Sequence, residues 1–240
     1  MDERFEKAIA LGLETVENGG EISRAEDTVE RLCLSLGAEK VQVFIIPSLI
    51  SVTATIDGVE VTTTRRIYKT DLHLGRLEEI NNTSRRLCGE KNAKGKINYK
   101  YHILIQILGV MLATGSFAMY FGGSFIDAIF SGIAGLAITY IPYGRSSFNI
   151  FSKTLIESTI AGILSFIPAI IGINTHPDKI MIGTIMLLIP GMSIGSSMKD
   201  LMNGNLIAGI LQLCQAIVLA FAIALGFAVA LIIFGGEYIA

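Results

Sequence analysis

The sequence predicts an α+β cytoplasmic domain followed by an all-α polytopic transmembrane domain of about five helices, and three observations carry that prediction. Hydrophobic residues make up 51% of the chain and charged residues 17%, which is too apolar for an ordinary soluble protein of this length. The charge is segregated: 15 of the 19 Lys/Arg and 16 of the 21 Asp/Glu fall in residues 1–100, leaving only Arg145, Lys153, Lys179 and Lys199 against Asp127, Glu157, Asp178, Asp200 and Glu237 beyond. Finally, the apolar period runs helix, strand, helix before residue 98 and then gives way to long uninterrupted apolar runs. The predicted boundaries are 1–98 for the α+β domain and 99–240 for the membrane domain.

Within the first domain, Phe5, Ile9, Leu13 and Val16 recur every three to four residues, so residues 2–16 predict a helix with one buried face. Gly19 and Gly20 end it. Ser23-x-x-Glu26 has the form of a capping box and predicts a second helix from Ser23, with Val29, Leu32, Cys33 and Leu36 as its stripe and Gly37 as its C-cap. The period then changes to two: Val52, Ala54 and Ile56 alternate with Ser and Thr, and Asp57-Gly58 supplies a hairpin turn. Three strands are expected, at about 40–46, 49–56 and 59–67, and Leu74, Leu77, Ile80 and Leu87 return the pattern to a helix over 72–88. The polar, basic stretch EKNAKGKINYK marks the boundary.

Five apolar runs follow, at about 100–121, 124–143, 154–173, 179–198 and 206–234, each near the roughly 20 residues that cross a bilayer. Lys91, Lys94, Lys96 and Lys100 before the first, Arg145 and Lys153 after the second and Lys199 after the fourth fall on one side; the other side has Lys179 beside Asp178. The positive-inside rule therefore predicts an N-terminus in the cytoplasm and a C-terminus outside the cell membrane, and Tyr99, Tyr101, Tyr120, Tyr140, Tyr143 and Tyr238 fall near the predicted interfaces. The last run is longer than the hydrocarbon is thick and carries two small-residue rows, Ala220, Ala224, Ala228 and Ala222, Gly226, Ala230, which suit close helix packing.

Several function classes are excluded or disfavoured. Net charge is −2, with no basic excess to neutralise phosphates, so no nucleic-acid partner is expected. The opening MDERFEKAIALGLETVENGG lacks the basic and apolar regions of a secretory signal, which leaves the first domain in the cytoplasm. Cys33, Cys88 and Cys214 show no CxxC or zinc spacing and read as reduced thiols. There is no P-loop, metal-ligand spacing or dinucleotide fingerprint, so no cofactor, metal or ATP hydrolysis is expected.

The fourth run holds the clearest irregularity, Pro190-Gly191 followed by Ser193, Gly195, Ser196 and Ser197. Proline frees backbone groups where water is scarce, and transporters build binding sites from such broken helices. The bland alternative is a proline kink packed by Gly191-x-x-x-Gly195. Gly191-x-Ser193-x-Gly195 also spells a nucleophile elbow, which means catalysis only on a strand-turn-helix with a base in reach; His102 and His176 do not offer one, so the chain is not read as an enzyme. Charged groups within apolar spans are functional candidates by default. Asp127, Glu157, Lys199 and Asp200 are therefore candidates for a substrate and ion pathway together with Pro190, Gly191 and Ser193, the bland reading being hydration near an interface. In the first domain the motif residues Arg24 and Glu26 stand at a helix start, where capping and solvated charge account for them.

Taken in order, GGEISRAEDTVERLCLSLGAEKVQVFIIPSLISVT, MYFGGSFIDAIFSGIAG and LIPGMSIGSSMKDLMNGNLIAGI resemble the threonine/serine exporter family over nearly the whole chain. The family motif residues matched here are Arg24, Asp127, Pro190, Gly191, Asp200 and Gly204. The resemblance implies a secondary exporter of small polar metabolites, driven by an ion gradient. It further implies that this chain corresponds to the first half of larger members, as in the split type that pairs with a second small polytopic subunit. Substrates of the family are threonine and serine, or dicarboxylates such as succinate. A homo-oligomer is also expected, since five helices are few to enclose a pathway. The competing class is a membrane-tethered sensor or scaffold whose cytoplasmic domain binds the ligand or partner.

Overall fold

A computed structural model of the chain describes residues 3–68, 70–89, 102–140 and 149–238. The predicted boundary near residue 98 lies outside them, as do Lys91, Lys94, Lys96, Lys100, Tyr99, Tyr101, Tyr143, Arg145 and the side chain of Tyr238. The elements in order are α1 (Glu3–Glu17), α2 (Ile22–Ser35), β1 (Lys40–Ile46), β2 (Leu49–Ile56), β3 (Val59–Arg66), α3 (Leu74–Leu87), α4 (Ile103–Tyr120), α5 (Phe125–Tyr140), α6 (Ile150–Ile170), α7 (Pro177–Leu188), α8 (Gly191–Met202) and α9 (Leu206–Tyr238). The chain divides into two compact units, Met1–Tyr99 with Gly191–Gln215, and Lys100–Pro190 with Ala216–Ala240.

In the first unit the predicted stripes are the buried ones. Phe5, Ile9 and Val16 of α1 and Val29, Leu32 and Cys33 of α2 meet Ile50, Val52 and Ala54 of β2 in one core, which Ala208 of α9 also joins. Gly19 ends α1 at φ +78, with its own N–H donated to Val16 and that of Gly20 to Thr15 at 2.8 Å. The sheet is antiparallel in the order β1-β2-β3. Asp57 and Gly58 both take positive φ, 51° and 73°, the two-residue turn whose twist suits a hairpin. This sets Val52 opposite Val43 on one side and Thr63 on the other. The second face of the sheet is polar, with Ser51 paired to Thr64 at 3.2 Å and Thr53 to Thr62 at 2.9 Å.

The regular structure of the second unit is all helix among its described residues. Small residues set its spacing. A Cβ at Gly135 would lie 2.7 Å from Thr114 Cγ2, and one at Gly183 would lie 2.6 Å from the Thr114 carbonyl, so α4, α5 and α7 approach at backbone distance. Of the two small-residue rows on α9, that of Ala222, Gly226 and Ala230 faces α6: Ala222 and Ala230 are fully buried, and a Cβ at Gly226 would run into Ser158 and stand 2.7 Å from the Leu155 carbonyl. Ala220 and Ala224 are exposed. One row packs within the unit; the other is open.

Among the described residues three helices, α4, α6 and α9, are long and apolar enough to cross a membrane, and α7 with α8 makes a fourth if the broken pair counts as one span. At 16 residues, α5 is apolar but shorter. The break falls at the predicted place. Ile189 is extended, with φ −61 and ψ 126, the conformation that a following proline imposes, and helix resumes at Gly191.

Candidate functional site

The densest polar cluster of the first unit is built where α2 begins. The first N–H groups of a helix have no partner within it, and a carboxylate there also meets the positive end of the helix dipole. The expected capping box between Ser23 and Glu26 is not formed: the helix starts at Ile22 with Glu21 as N-cap, and no side chain of that turn caps it. The cap comes from 177 residues away. Asp200 on α8, fully buried, accepts the Ser23 N–H at 3.2 Å and the Ile22 N–H at 3.4 Å, and takes a third hydrogen bond from Gln212 Nε2 at 3.2 Å. Two ties flank it: Lys199 Nζ to Glu21 Oε1 at 2.8 Å and Asn203 Nδ2 to Ser23 Oγ at 3.3 Å.

Freed from capping, Glu26 turns to other partners. Its Oε1 accepts the Ile45 N–H of β1 and its Oε2 accepts Asn205 Nδ2, both at 3.0 Å. Gly204 makes the second bond reachable: at φ +88 it reverses the chain after α8 and presents Asn205 to α2. Burial, the largest influence, pushes the Glu26 carboxyl above its usual range; the Ile45 and Asn205 hydrogen bonds oppose this, and the charges of Asp200 and Asp27 add to it. Glu26 and Asn205 open onto a pocket of about 300 Å³ whose other walls are Phe44, Ile45 and the Gly204–Ala208 turn.

In the second unit Asp127 is the buried carboxylate. It lies in the first turn of α5, where its Oδ2 accepts the Ser124 N–H at 2.7 Å and the Ser124 hydroxyl at 2.8 Å. Its Oδ1 takes the His176 N–H at 2.8 Å, and His176 Nδ1 stands 3.0 Å from Oδ2. One carboxylate thus closes the turn before α5 and also anchors the residue that caps α7. Glu157 is half-buried on α6, 3.8 Å from Lys153 Nζ one turn earlier. Ser193, Gly191 and Gly195 are exposed, Pro190 is half-buried and Arg24 is exposed. A Cβ at Gly191 or Gly195 would meet nothing within 4 Å, so these glycines are not a packing pair here. Ser193 lies inside a helix that follows another helix, not on the strand-turn-helix of a nucleophile elbow. Among the described residues no group of three or more His, Cys, Asp or Glu side chains could hold a metal ion.

The structure therefore brings Asp200, Lys199 and Glu26 into one cluster with Glu21, Ser23, Asn203, Asn205 and Gln212, most of which were not singled out from the sequence. It also gives Asp127 a histidine partner. Local spacing carries no signal for either, because the partners are far apart along the chain.

Several long apolar helices, one broken at a proline, with carboxylates buried on them, define a multi-pass membrane protein. More specifically, the chain belongs to the threonine/serine exporter family: residues 7–234 match the family described as "Putative threonine/serine exporter". It is 22% identical to the "Probable succinate transporter subunit YjjP" of Escherichia coli K12, over 95% of this chain and 93% of that protein. The same identity and 95% of this chain relate it to the protein of that name from Klebsiella aerogenes, of which 92% is covered. "Pheromone-regulated membrane protein 10" of Pichia sorbitophila is 28% identical over 49% of this chain, which corresponds to 12% of that longer protein. No solved structure matches.

Proposed function

We propose that this chain is one subunit of a secondary-active exporter of small polar metabolites, driven by an ion gradient and completed by a second small polytopic membrane protein. The observation that carries the reading is the pair of fully buried carboxylates, Asp127 and Asp200, on apolar helices of a chain whose α7–α8 segment is broken at Pro190. Burying such groups is costly, and a tether or anchor needs neither acid nor break. The substrates are threonine- or serine-like amino acids, as the family description suggests, or C4 dicarboxylates, as the name of the YjjP relatives suggests. The word "subunit" in that name supports the second protein.

In this reading the membrane part crosses five times, counting α5 and taking α7 with α8 as one broken crossing. The N-terminal α+β region is cytoplasmic, the C-terminus lies outside the cell membrane, and the assembly contains more than one copy of the chain. Asp127, Glu157, Pro190, Gly191, Ser193, Lys199 and Asp200 belong to the substrate and ion pathway, and Arg24 and Glu26 serve the N-terminal region. The chain is a carrier and not an enzyme. The test is export of labelled threonine, serine and succinate from cells that express this chain with and without a small polytopic partner encoded beside it. Export of one of the three, present only with both chains, is expected. Export that is unchanged when this chain is deleted contradicts the proposal.

A further inference from the structure

The pocket beside Glu26 lies within the first unit and has a defined chemical character. Its volume of about 300 Å³ is at the lower end of the roughly 300–1,000 Å³ found for small-molecule sites. Glu26 is the one charged side chain among its walls, and Phe44, Ile45, Leu206 and Ile207 make much of the rest apolar. Phe44, Leu206 and Ile207 are at least half exposed, so the apolar wall can be reached from outside. Each carboxylate oxygen of Glu26 accepts one protein hydrogen bond, which leaves each with capacity for another. The other charges acting on it, Asp200 and Asp27, are both negative. The nearby lysine, Lys199, is engaged with Glu21.

We propose that this pocket is a binding site for a small organic ammonium, with the cation on the Glu26 carboxylate, its body against Phe44 and Ile207, and dicarboxylates excluded. An ammonium offers three donors to oxygens that already hold one bond each, and it places a positive charge beside Glu26 that the residues lining the pocket do not supply. A dicarboxylate would bring two more negative charges to a site where Asp200 and Asp27 already act against the charge of Glu26. Burial raises the Glu26 carboxyl, and an arriving cation opposes that shift. The same chemistry is carried by a free amine or amino acid and by the headgroup of an ethanolamine lipid.

Binding is measured on the full chain in phosphatidylcholine nanodiscs, by calorimetry and thermal melting, with ethanolamine, L-threonine and succinate as separate probes. A parallel set of nanodiscs contains phosphatidylethanolamine. The site predicts that ethanolamine or L-threonine binds and succinate does not, and that Glu26→Gln weakens the amine at least tenfold. Ile207→Trp, which fills the pocket and leaves the Glu26 hydrogen bonds in place, is expected to do the same. Stabilisation by the ethanolamine lipid alone, lost in both variants, assigns the cation to a headgroup and sustains the site. Amine binding unchanged in both variants, succinate bound as well as the amines, or no response to any probe overturns it. Because binding is read without transport, its failure is separable from failure of the exporter reading.

Discussion

At the scale of single residues, the decisive group is Asp200. Its three hydrogen bonds from Ile22, Ser23 and Gln212 make it the cap of a helix that begins 178 residues earlier. Asp200→Ala leaves two backbone N–H groups without their acceptor and is expected to cost about 2 kcal/mol, the size of a lost cap plus an unsatisfied donor. Faster hydrogen exchange at Ile22 and Ser23 will report it. Asp200→Asn keeps an acceptor oxygen and should retain most of that protection. Glu26 gives a pH test. Its carboxyl is raised by burial above its ordinary value, so the folded state holds its proton more tightly than the unfolded state does. Its contribution to stability is present below the ordinary carboxyl range and is lost as pH rises through the raised value. The melting temperature of Glu26→Gln relative to the wild type should therefore climb as pH rises above the ordinary carboxyl range. A difference that stays flat or falls over that window contradicts the assignment. The sequence marked Asp200 and Asp127 as candidates because acids within apolar runs are unusual, and Glu26 as part of the charged start of a helix. It could not pair them with Ser23, Asn205 or His176, since those contacts arise only once helices distant in sequence are packed.

At the scale of elements, the strands and the Asp57-Gly58 turn were legible to within a residue, because alternation and turn chemistry are local properties. The break in the fourth apolar run was legible for the same reason: Pro190 acts on its immediate neighbour. The cap of α2 was not, because Ser23-x-x-Glu26 satisfies a local pattern while Asp200 and Ile45 compete for the same groups and win. The two small-residue rows of α9 looked alike in sequence, and packing distinguishes them. Gly226→Leu should overpack the contact with α6 and cost about 1–3 kcal/mol, whereas Ala224→Leu on the exposed row should stay within about 0.5 kcal/mol. Thermal melts of the two variants in detergent read the difference directly; equal losses would contradict the assignment of Gly226 to the α6 contact. For the broken segment, Pro190→Ala restores a backbone donor and relieves Ile189 of its extended conformation. Efflux should fall while the amount of chain in the membrane is unchanged.

At the scale of the whole molecule, the structure divides the chain into two units. Gly191–Gln215 groups with the N-terminal α+β region, and the Asp200, Lys199, Asn203 and Asn205 contacts give the physical reason. The helix after Pro190 is thus held by the α+β region. The most direct measurement is efflux of labelled threonine, serine and succinate from cells carrying this chain and the proposed small partner, compared before and after ionophores collapse the ion gradients and with ATP separately depleted. The exporter account predicts efflux that stops when the gradients collapse and continues without ATP while a gradient is imposed. Efflux of none of the three substrates, or efflux that follows ATP and ignores the gradients, would contradict it.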